Sequence, residues 1–233
     1  MTDLAACEAA LERPGIAAEL RGPLARYAAL LGAANLRMNL TAARSAAALA
    51  DHIEDALALV PYLGASLADI GSGGGFPAVP LAIATGVPVL AVESVAKKAR
   101  FLAETAVTLG LALTVVAARA EVAGRDPAHR ERYASATARA VGALTVVLEF
   151  TMPFLAVGGR ALLQRGATSD AERRALADAA LVLGGRVAGE VGGTGDRRLL
   201  IVEKERPTQG RFPRRSGIPD RRPLCATGER AEA

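Results

Sequence analysis

The spacing of hydrophobic residues changes near Pro61. It is helical before this residue, and after it strand-like and helical segments alternate. Over residues 1–60, alanine and leucine recur at helical spacing, and this pattern predicts two or three helices. One apolar face of these helices holds Leu24, Ala28, Leu31 and Asn35. After Pro61, short runs rich in valine and isoleucine alternate with longer helical stretches. This alternation is typical of βαβ units and predicts a parallel, doubly wound α/β sheet.

The alternating part of the chain contains seven short runs that fit β-strands. The predicted strands are Leu67–Ile70, Val87–Val92, Leu113–Ala117, Ala134–Ala138, Arg160–Gln164, Arg186–Val191 and Arg197–Lys204. The predicted helices among them are Pro77–Thr85, Lys97–Leu109, Leu144–Leu155 and Ser169–Leu183. The glycine-rich residues 192–196 suit a hairpin between the last two strands, so the final strand is expected to be antiparallel.

Composition agrees with a folded α/β protein that carries additions at both ends. The chain has 233 residues, of which 51% are hydrophobic, and its net charge is only +4, and this excludes disorder for most of its length. We predict an N-terminal helical extension at 1–60, an α/β domain at 61–204 and a basic tail at 205–233.

The two cysteines, Cys7 and Cys225, lie at opposite ends of the chain. Their spacing excludes a zinc cage of paired cysteines, and a disulfide framework is not expected. Acidic residues come early in the chain and no apolar run is long enough to span a bilayer, so neither a signal peptide nor a membrane span is expected. We expect a cytoplasmic protein without metal or membrane contact, and we expect it to be a monomer.

The net charge of +4 is concentrated near the C-terminus. Between Arg211 and Arg222, five arginines accompany one aspartate, and this excess of four charges equals the net charge of the whole chain. We call residues 211–222 the basic segment. Its prolines and Gly217 exclude one regular helix. Two interpretations stay open, namely a solvated flexible tail and an arm that binds a polyanion.

The first predicted strand runs into the glycine-rich turn Asp69-Ile70-Gly71-Ser72-Gly73-Gly74-Gly75-Phe76-Pro77. Glycines allow a sharp turn and a close approach to a ligand, directly before a helix N-terminus. A dinucleotide fingerprint would need its third glycine where Phe76 stands. An acid such as Asp69 before the glycines suits a cationic ammonium group better than a pyrophosphate.

A second acid, Glu93, ends the second predicted strand, where a carboxylate can accept both hydroxyls of a ribose. The glycine turn, Asp69 and Glu93 together point to S-adenosylmethionine and to a Rossmann-like, class I methyltransferase fold. A glycine-rich turn without a ligand and a nicotinamide or flavin enzyme are the alternatives.

Several motifs in one order resemble the bacterial 16S rRNA guanine-N7 methyltransferases, once called glucose-inhibited division protein B. Besides the glycine turn, they are Asn39-Leu40-Thr41, His52 to Leu57, Val92-Glu93-Ser94 with Lys97-Lys98, Arg119-Ala120-Glu121, Ala138-Arg139-Ala140 and Phe212 to Pro219. The resemblance covers roughly residues 35–224. The sequence departs from the family pattern at Ala78, at Ala134 and at residues 164–166.

The resemblance implies S-adenosylmethionine as the cofactor and 16S rRNA or the small-subunit particle as the partner. The resemblance and the residues discussed above together give one set of candidate cofactor contacts. They are Asp69, Gly71, Gly73, Gly75, Phe76, Glu93, Ser94, Ala120, Glu121 and Arg139. We predict no catalytic acid or base, because N7 of guanine carries a lone pair and no proton. Arg139 is the candidate for any catalytic role beyond positioning. A surface charge is the alternative for this residue, but an arginine in an apolar run is costly unless it is paired.

The candidate RNA contacts are basic residues near strand ends and in the basic segment. They are Lys97, Lys98, Arg165, Arg211, Arg214 and Arg215. Lys97 and Lys98 are two of only three lysines in the chain, and they fall in the predicted first turn of a helix. Cations at this end oppose the helix dipole, which suggests a partner such as RNA phosphate, although a solvated helix start explains them as well.

The expected reaction is methyl transfer to N7 of a single guanine in 16S rRNA. No cysteine lies near the strand ends, where methylation of a pyrimidine C5 would need one. Residues 138–141 also lack the Asn/Asp-Pro-Pro-aromatic pattern that is used on exocyclic amines. Two other hypotheses stay open, a small-molecule methyltransferase and a non-catalytic RNA-binding module on the same fold.

Overall fold

The computed structural model describes residues 2–139, 142–193 and 196–224. These residues form two compact units that divide after Ala118. Some residues used above lie outside the described ranges, namely Ala140, Val141, Thr194, Gly195 and Cys225.

The first unit combines the predicted N-terminal helices with the first three strands. Its helices are α1 (Leu4–Ala10), α2 (Ala18–Met38), α3 (Ala46–Leu57), α4 (Ala78–Thr85) and α5 (Ala96–Leu109), with a short 3-10 helix at Val60–Tyr62. Its strands are β1 (Leu67–Ile70), β2 (Val89–Val92) and β3 (Leu113–Val116). The strands pair in parallel in the order β3-β2-β1.

The helices of the first unit form where the apolar spacing predicts them. Leu24, Ala28 and Leu31 of α2 are buried in the core, as is Asn35. Helix α3 begins after Ser45, whose hydroxyl accepts a hydrogen bond of 3.2 Å from the Ala48 amide and so caps the first turn. The prediction of two or three N-terminal helices is confirmed, and there are three.

The second unit contains the remaining strands and the basic segment. Its helices are α6 (Ala120–Ala123), α7 (Leu144–Thr151), α8 (Asp170–Leu183) and α9 (Ile218–Arg221), with a 3-10 helix at Met152–Phe154. Its strands are β4 (Tyr133–Thr137), β5 (Leu155–Arg165), β6 (Gly185–Gly192) and β7 (Arg198–Lys204).

Strand direction changes within the second unit. Strands β4 and β5 are parallel, whereas β7 pairs antiparallel with both β5 and β6. The prediction of a mostly parallel α/β sheet with an antiparallel last strand is confirmed. Helix α7 is shorter than predicted and passes into the 3-10 helix at Met152–Phe154, because Pro153 has no amide hydrogen to donate to the carbonyl four residues back. Strand β5 consequently begins at Leu155, earlier than predicted.

No helix within the described residues is both long and apolar enough to cross a membrane.

Candidate cofactor and RNA-binding sites

The glycine-rich turn of the first unit follows β1 directly. Three of its glycines have positive φ angles, 76° at Gly71, 55° at Gly73 and 106° at Gly75. Residues with a Cβ rarely adopt such backbone conformations, so the turn depends on glycine. The Gly71 amide donates to the Val92 carbonyl over 2.8 Å, which ties the turn to the end of β2.

The glycines of the turn differ in the space around them. A Cβ at Gly75 would lie 2.7 Å from Val79 and 3.0 Å from the hydroxyl oxygen of Tyr27. A Cβ at Gly73 would meet only the Gly71 carbonyl oxygen, at 3.8 Å. One side of the turn is therefore packed against the core, and the backbone at Gly73 is open to a ligand.

The N-terminal helices support the packed side of the turn. The Tyr27 hydroxyl of α2 donates to the Gly74 carbonyl over 2.9 Å. Phe76 is 9% exposed, and its ring packs edge-on against the ring of Tyr27. The centres of the Phe76 and His52 rings lie 5.4 Å apart. Tyr27 was not among the residues predicted from the sequence. A signal was present, because a tyrosine on a buried apolar face needs a hydrogen-bond partner for its hydroxyl.

Asn35 shapes the loop that reaches the same turn. Its side-chain oxygen accepts hydrogen bonds from the amides of Leu40 and Thr41, at 2.7 and 3.0 Å. Its side-chain nitrogen donates to the carbonyls of Thr41 and Ala43. Because a Cβ at Gly74 would lie 3.1 Å from the Leu40 carbonyl oxygen, the loop at 39–43 packs directly on the turn.

Two buried carboxylates flank the glycine turn in sequence. Asp69 lies in β1 and is fully buried, and Glu93 follows β2 and is 6% exposed. One carboxylate oxygen of Glu93 accepts from the Gly73 amide at 2.9 Å, and the other accepts from the Val95 amide at 2.7 Å. Ser94, which lies between Glu93 and Val95 in the sequence, is exposed. Each Glu93 oxygen keeps acceptor capacity for a ligand hydroxyl, since a carboxylate oxygen has about two lone-pair sites.

This arrangement fits S-adenosylmethionine. The cofactor offers an ammonium group and two ribose hydroxyls, which are donors, and the turn presents buried acceptors next to an open backbone. Among the described residues, no group of three or more His, Cys, Asp or Glu side chains is arranged to hold a metal ion.

The other candidate cofactor contacts lie in the second unit. Ala120 is the first residue of α6, and Arg139 follows β4 and is half-buried. Glu121 is 4% exposed, and its carboxylate accepts a hydrogen bond of 2.8 Å from the Gly217 amide of the basic segment. The structure therefore joins Glu121 to a part of the chain that sequence analysis treated separately.

A buried ion pair anchors the basic segment. Glu149 of α7 is fully buried, and its carboxylate accepts from the Arg214 backbone amide at 2.8 Å. The Arg214 guanidinium adds bonds to both oxygens, the shortest of them 2.6 Å. Glu149 was not among the site residues predicted from the sequence. Its signal was a single acid in an apolar run, which is costly to bury without a partner.

Two further arginines hold the backbone around the start of the basic segment. Arg125 donates to the carbonyls of Arg211 and Pro213, at 2.8 and 2.9 Å. Arg130 donates to the carbonyls of Thr208 and Phe212, at 2.6 and 2.8 Å. Phe212 itself is 3% exposed. These contacts favour an ordered arm over a flexible tail for this part of the chain.

A second buried ion pair fixes the chain just before the basic segment. Lys204, the last residue of β7, is fully buried and donates to Glu131 over 2.7 Å and to two carbonyls. Burial lowers the pKa of Lys204. Burial opposes ionisation of Glu131 as well, but the hydrogen bonds from Lys204 and from the Thr208 amide outweigh it and lower the pKa of this carboxyl.

The candidate RNA contacts have different surroundings. Lys97 is exposed and Lys98 half-buried in the first turn of α5. Arg165 donates to the Gly142 carbonyl over 2.7 Å. Arg211 is exposed and lies 5.0 Å from the ring centre of Phe212, and Arg215 is exposed. Arg165 also lies 3.8 Å from the Glu172 carboxylate, whereas the Arg214 guanidinium is bound to the fully buried Glu149.

Comparison with known proteins shows a consistent set of relatives. A family model described as rRNA small subunit methyltransferase G (GidB) matches residues 22–200. A protein of this name from Rubrobacter xylanophilus is 43% identical, over 88% of this chain and 84% of the relative. Another, from Roseiflexus castenholzii, is 43% identical over 86% of this chain and 90% of its own.

Solved structures share the fold at low sequence identity. A ribosomal protein L11 methylase from Lactobacillus delbrueckii subsp. bulgaricus has a TM-score of 0.52 and 14% identity, and the match covers 67% of this chain and 80% of that one. MtNAS in complex with MTA and tNA has a TM-score of 0.53 and 16% identity, over 87% of this chain and 81% of its own. At these identities the similarity concerns the fold.

Proposed function

Because the chain belongs to the rRNA small subunit methyltransferase G family, we propose that it transfers a methyl group from S-adenosylmethionine to N7 of one guanine in 16S rRNA. The observation that carries this proposal is the match over residues 22–200, which includes the glycine turn and both of its acids. We place the reaction in the cytoplasm, on 16S rRNA or on a small-subunit particle, with the protein acting as a monomer.

The first unit supplies the core of the cofactor site. The open backbone at Gly73 receives the cofactor, Asp69 attracts its ammonium group, and Glu93 accepts hydrogen bonds from its ribose. Glu93 also holds the amides of Gly73 and Val95, so the turn is ordered before the ligand arrives. Gly71, Gly75, Phe76, Ser94, Ala120, Glu121 and Arg139 complete the proposed set of cofactor contacts.

The chemistry requires positioning more than proton transfer. S-adenosylmethionine, when bound, supplies an electrophilic methyl group on a sulfonium. N7 of guanine has an available lone pair and no proton, so the protein needs no general base. Holding the two reactants in line can lower the barrier by about 7–11 kcal/mol. The target guanine is expected to leave its stack and enter the site as an unstacked base.

Basic residues are proposed to bind the RNA backbone. Lys97 and Lys98 in α5, Arg165 at the end of β5 and the basic segment provide positive charge for phosphates. Affinity should fall as salt concentration rises, because each phosphate contact releases a condensed counterion.

The decisive experiment maps N7-methylguanine in 16S rRNA from a strain that lacks the gene. Borohydride–aniline cleavage should lose one site in the deletion strain, and the wild-type chain should restore it. The Glu93→Ala chain should not restore the site, whereas Glu104→Ala, on the exposed surface of α5, should. Persistence of every N7-methylguanine in the deletion strain would contradict the proposal.

A second experiment separates the proposal from the remaining alternatives. Purified protein is offered naked 16S rRNA, partly assembled particles or complete small subunits, and formation of S-adenosylhomocysteine is measured. Turnover on one of these substrates supports the proposal and identifies the form of RNA that is methylated. Absence of turnover with intact RNA binding favours a non-catalytic module, and turnover only on small molecules favours the other alternative.

A further inference from the structure

The arginines around the basic segment fall into two groups. Those of the first group bind a backbone carbonyl or a buried acid, and they are Arg125, Arg130 and Arg214. Those of the second group are exposed on the basic segment, and they are Arg211, Arg215, Arg221 and Arg222. Since both kinds occur side by side in the sequence, only the structure separates them.

We propose that the basic segment is a preformed phosphate-binding surface for rRNA, and that Arg214 is a positioning residue that holds this surface without touching the RNA. The inference rests on the proposed function, since it takes rRNA as the polyanion. It assigns different roles to the neighbouring residues Arg214 and Arg215.

Buried contacts anchor the basic segment to the rest of the second unit. Two carboxylates that are more than nine-tenths buried bind the segment, Glu149 through Arg214 and Glu121 through Gly217. The side chain of Phe212 is buried as well. A flexible arm loses conformational entropy when it orders on RNA, whereas a segment already held in place avoids most of that loss on binding.

Neighbouring arginines of the basic segment differ in whether an acid compensates their charge. The Arg214 guanidinium lies 2.6 Å from a Glu149 oxygen, so its charge is compensated inside the protein. The exposed guanidiniums of Arg211 and Arg215 lie on either side of this anchor in the sequence. Arg211 also rests over the Phe212 ring, which limits where its side chain can point. Guanidiniums bind phosphate oxygens through strong, often bidentate, charge-assisted hydrogen bonds.

The test compares Arg214→Ala with Arg215→Ala in the full chain. Binding of in vitro transcribed 16S rRNA is measured over a range of salt concentrations, and trypsin cleavage after Arg211 and Arg221 reports whether the segment stays in place. Arg215→Ala should lower the slope of log affinity against log salt by about 0.7–0.9, the value for one phosphate contact. Its segment should stay protected from trypsin.

Arg214→Ala should have the larger effect on RNA binding. Its segment should be cleaved faster, and the slope should fall by about 2–3, because several phosphate contacts are lost together. Arg186→Ala is the matched control in the same unit, since it removes one positive charge that is paired with Glu203 and Glu205. This control should leave both readouts unchanged.

If Arg214→Ala does not fold, Glu149→Met combined with Arg214→Met removes the anchor and leaves no unpaired buried charge. Equal slopes and equal protection for the two positions would overturn the inference. Loss of slope in Arg186→Ala as well would also overturn it, because net charge would then explain the result. Failure of the wild-type chain to methylate 16S rRNA would overturn the proposed function, which these binding measurements do not address.

Discussion

Buried glutamates play different roles in the two units. In the first unit, Glu93 accepts hydrogen bonds from amides 20 and 2 residues away, and it orders a local turn. In the second unit, Glu149 and Glu121 bind the basic segment, which lies 65 and 96 residues further along the chain. The first kind of contact serves a motif that can be recognised in the sequence. The second kind joins segments that only folding brings together.

Removing the long-range anchor should have the largest effect on stability. Arg214→Ala leaves Glu149 buried without its guanidinium, and loss of one partner of a buried ion pair costs about 3–5 kcal/mol. Urea unfolding should show this decrease in the free energy of unfolding. Arg215→Ala is the control, because an exposed substitution stays within about 0.5 kcal/mol. Equal stability of both variants would mean that the ion pair contributes nothing to the fold.

Removing the local contact should lower the affinity for the ligand. Glu93→Ala deletes the acceptor of the Gly73 and Val95 amides and the proposed ribose acceptor. Each hydrogen bond to a charged group contributes about 1.5–3 kcal/mol, so the Kd for S-adenosylmethionine should rise about 100-fold. Calorimetry on the folded variant measures this change. Glu104→Ala, whose carboxylate pairs with Arg100 on the surface of α5, should bind like the wild type. An unchanged affinity in Glu93→Ala would refute the assignment.

Acid pH should weaken the ion pair of Lys204 and Glu131, which lies just before the basic segment in the chain. The expected loss of stability is smaller than that caused by Arg214→Ala. The folded-state pKa of Glu131 lies below the ordinary value of 4.5. The ionised Glu131 carboxylate therefore stabilises the folded state fully above pH 4.5, and this stabilisation is lost as pH falls through the folded-state pKa. The difference in unfolding free energy between the wild type and Glu131→Gln should therefore shrink on acidification. Urea titrations from neutral pH to below 4.5 check this. A difference that is constant with pH would show that Glu131 does not act through its charge.

Much of the fold could be predicted because its signals are local. Strand β1 has the predicted bounds, and α8 begins one residue after its predicted start at Ser169, where Ser169 and Glu172 form a capping box. The end of α7 was misplaced because apolar periodicity continues past Pro153. The burial of Tyr27 and its bond to Gly74 were missed, since the partner lies 47 residues away.

The sequence by itself determined the α/β class, the glycine turn with its two acids, and the family. Each of these depends on the order and spacing of residues within a short stretch, where backbone geometry links neighbours. Only the tertiary structure decided which arginines anchor the basic segment and which are exposed on its surface. All arginines have the same side chain, and contact with the fully buried Glu149 is what makes Arg214 part of an ion pair, because an unpaired carboxylate in the core would be far more costly.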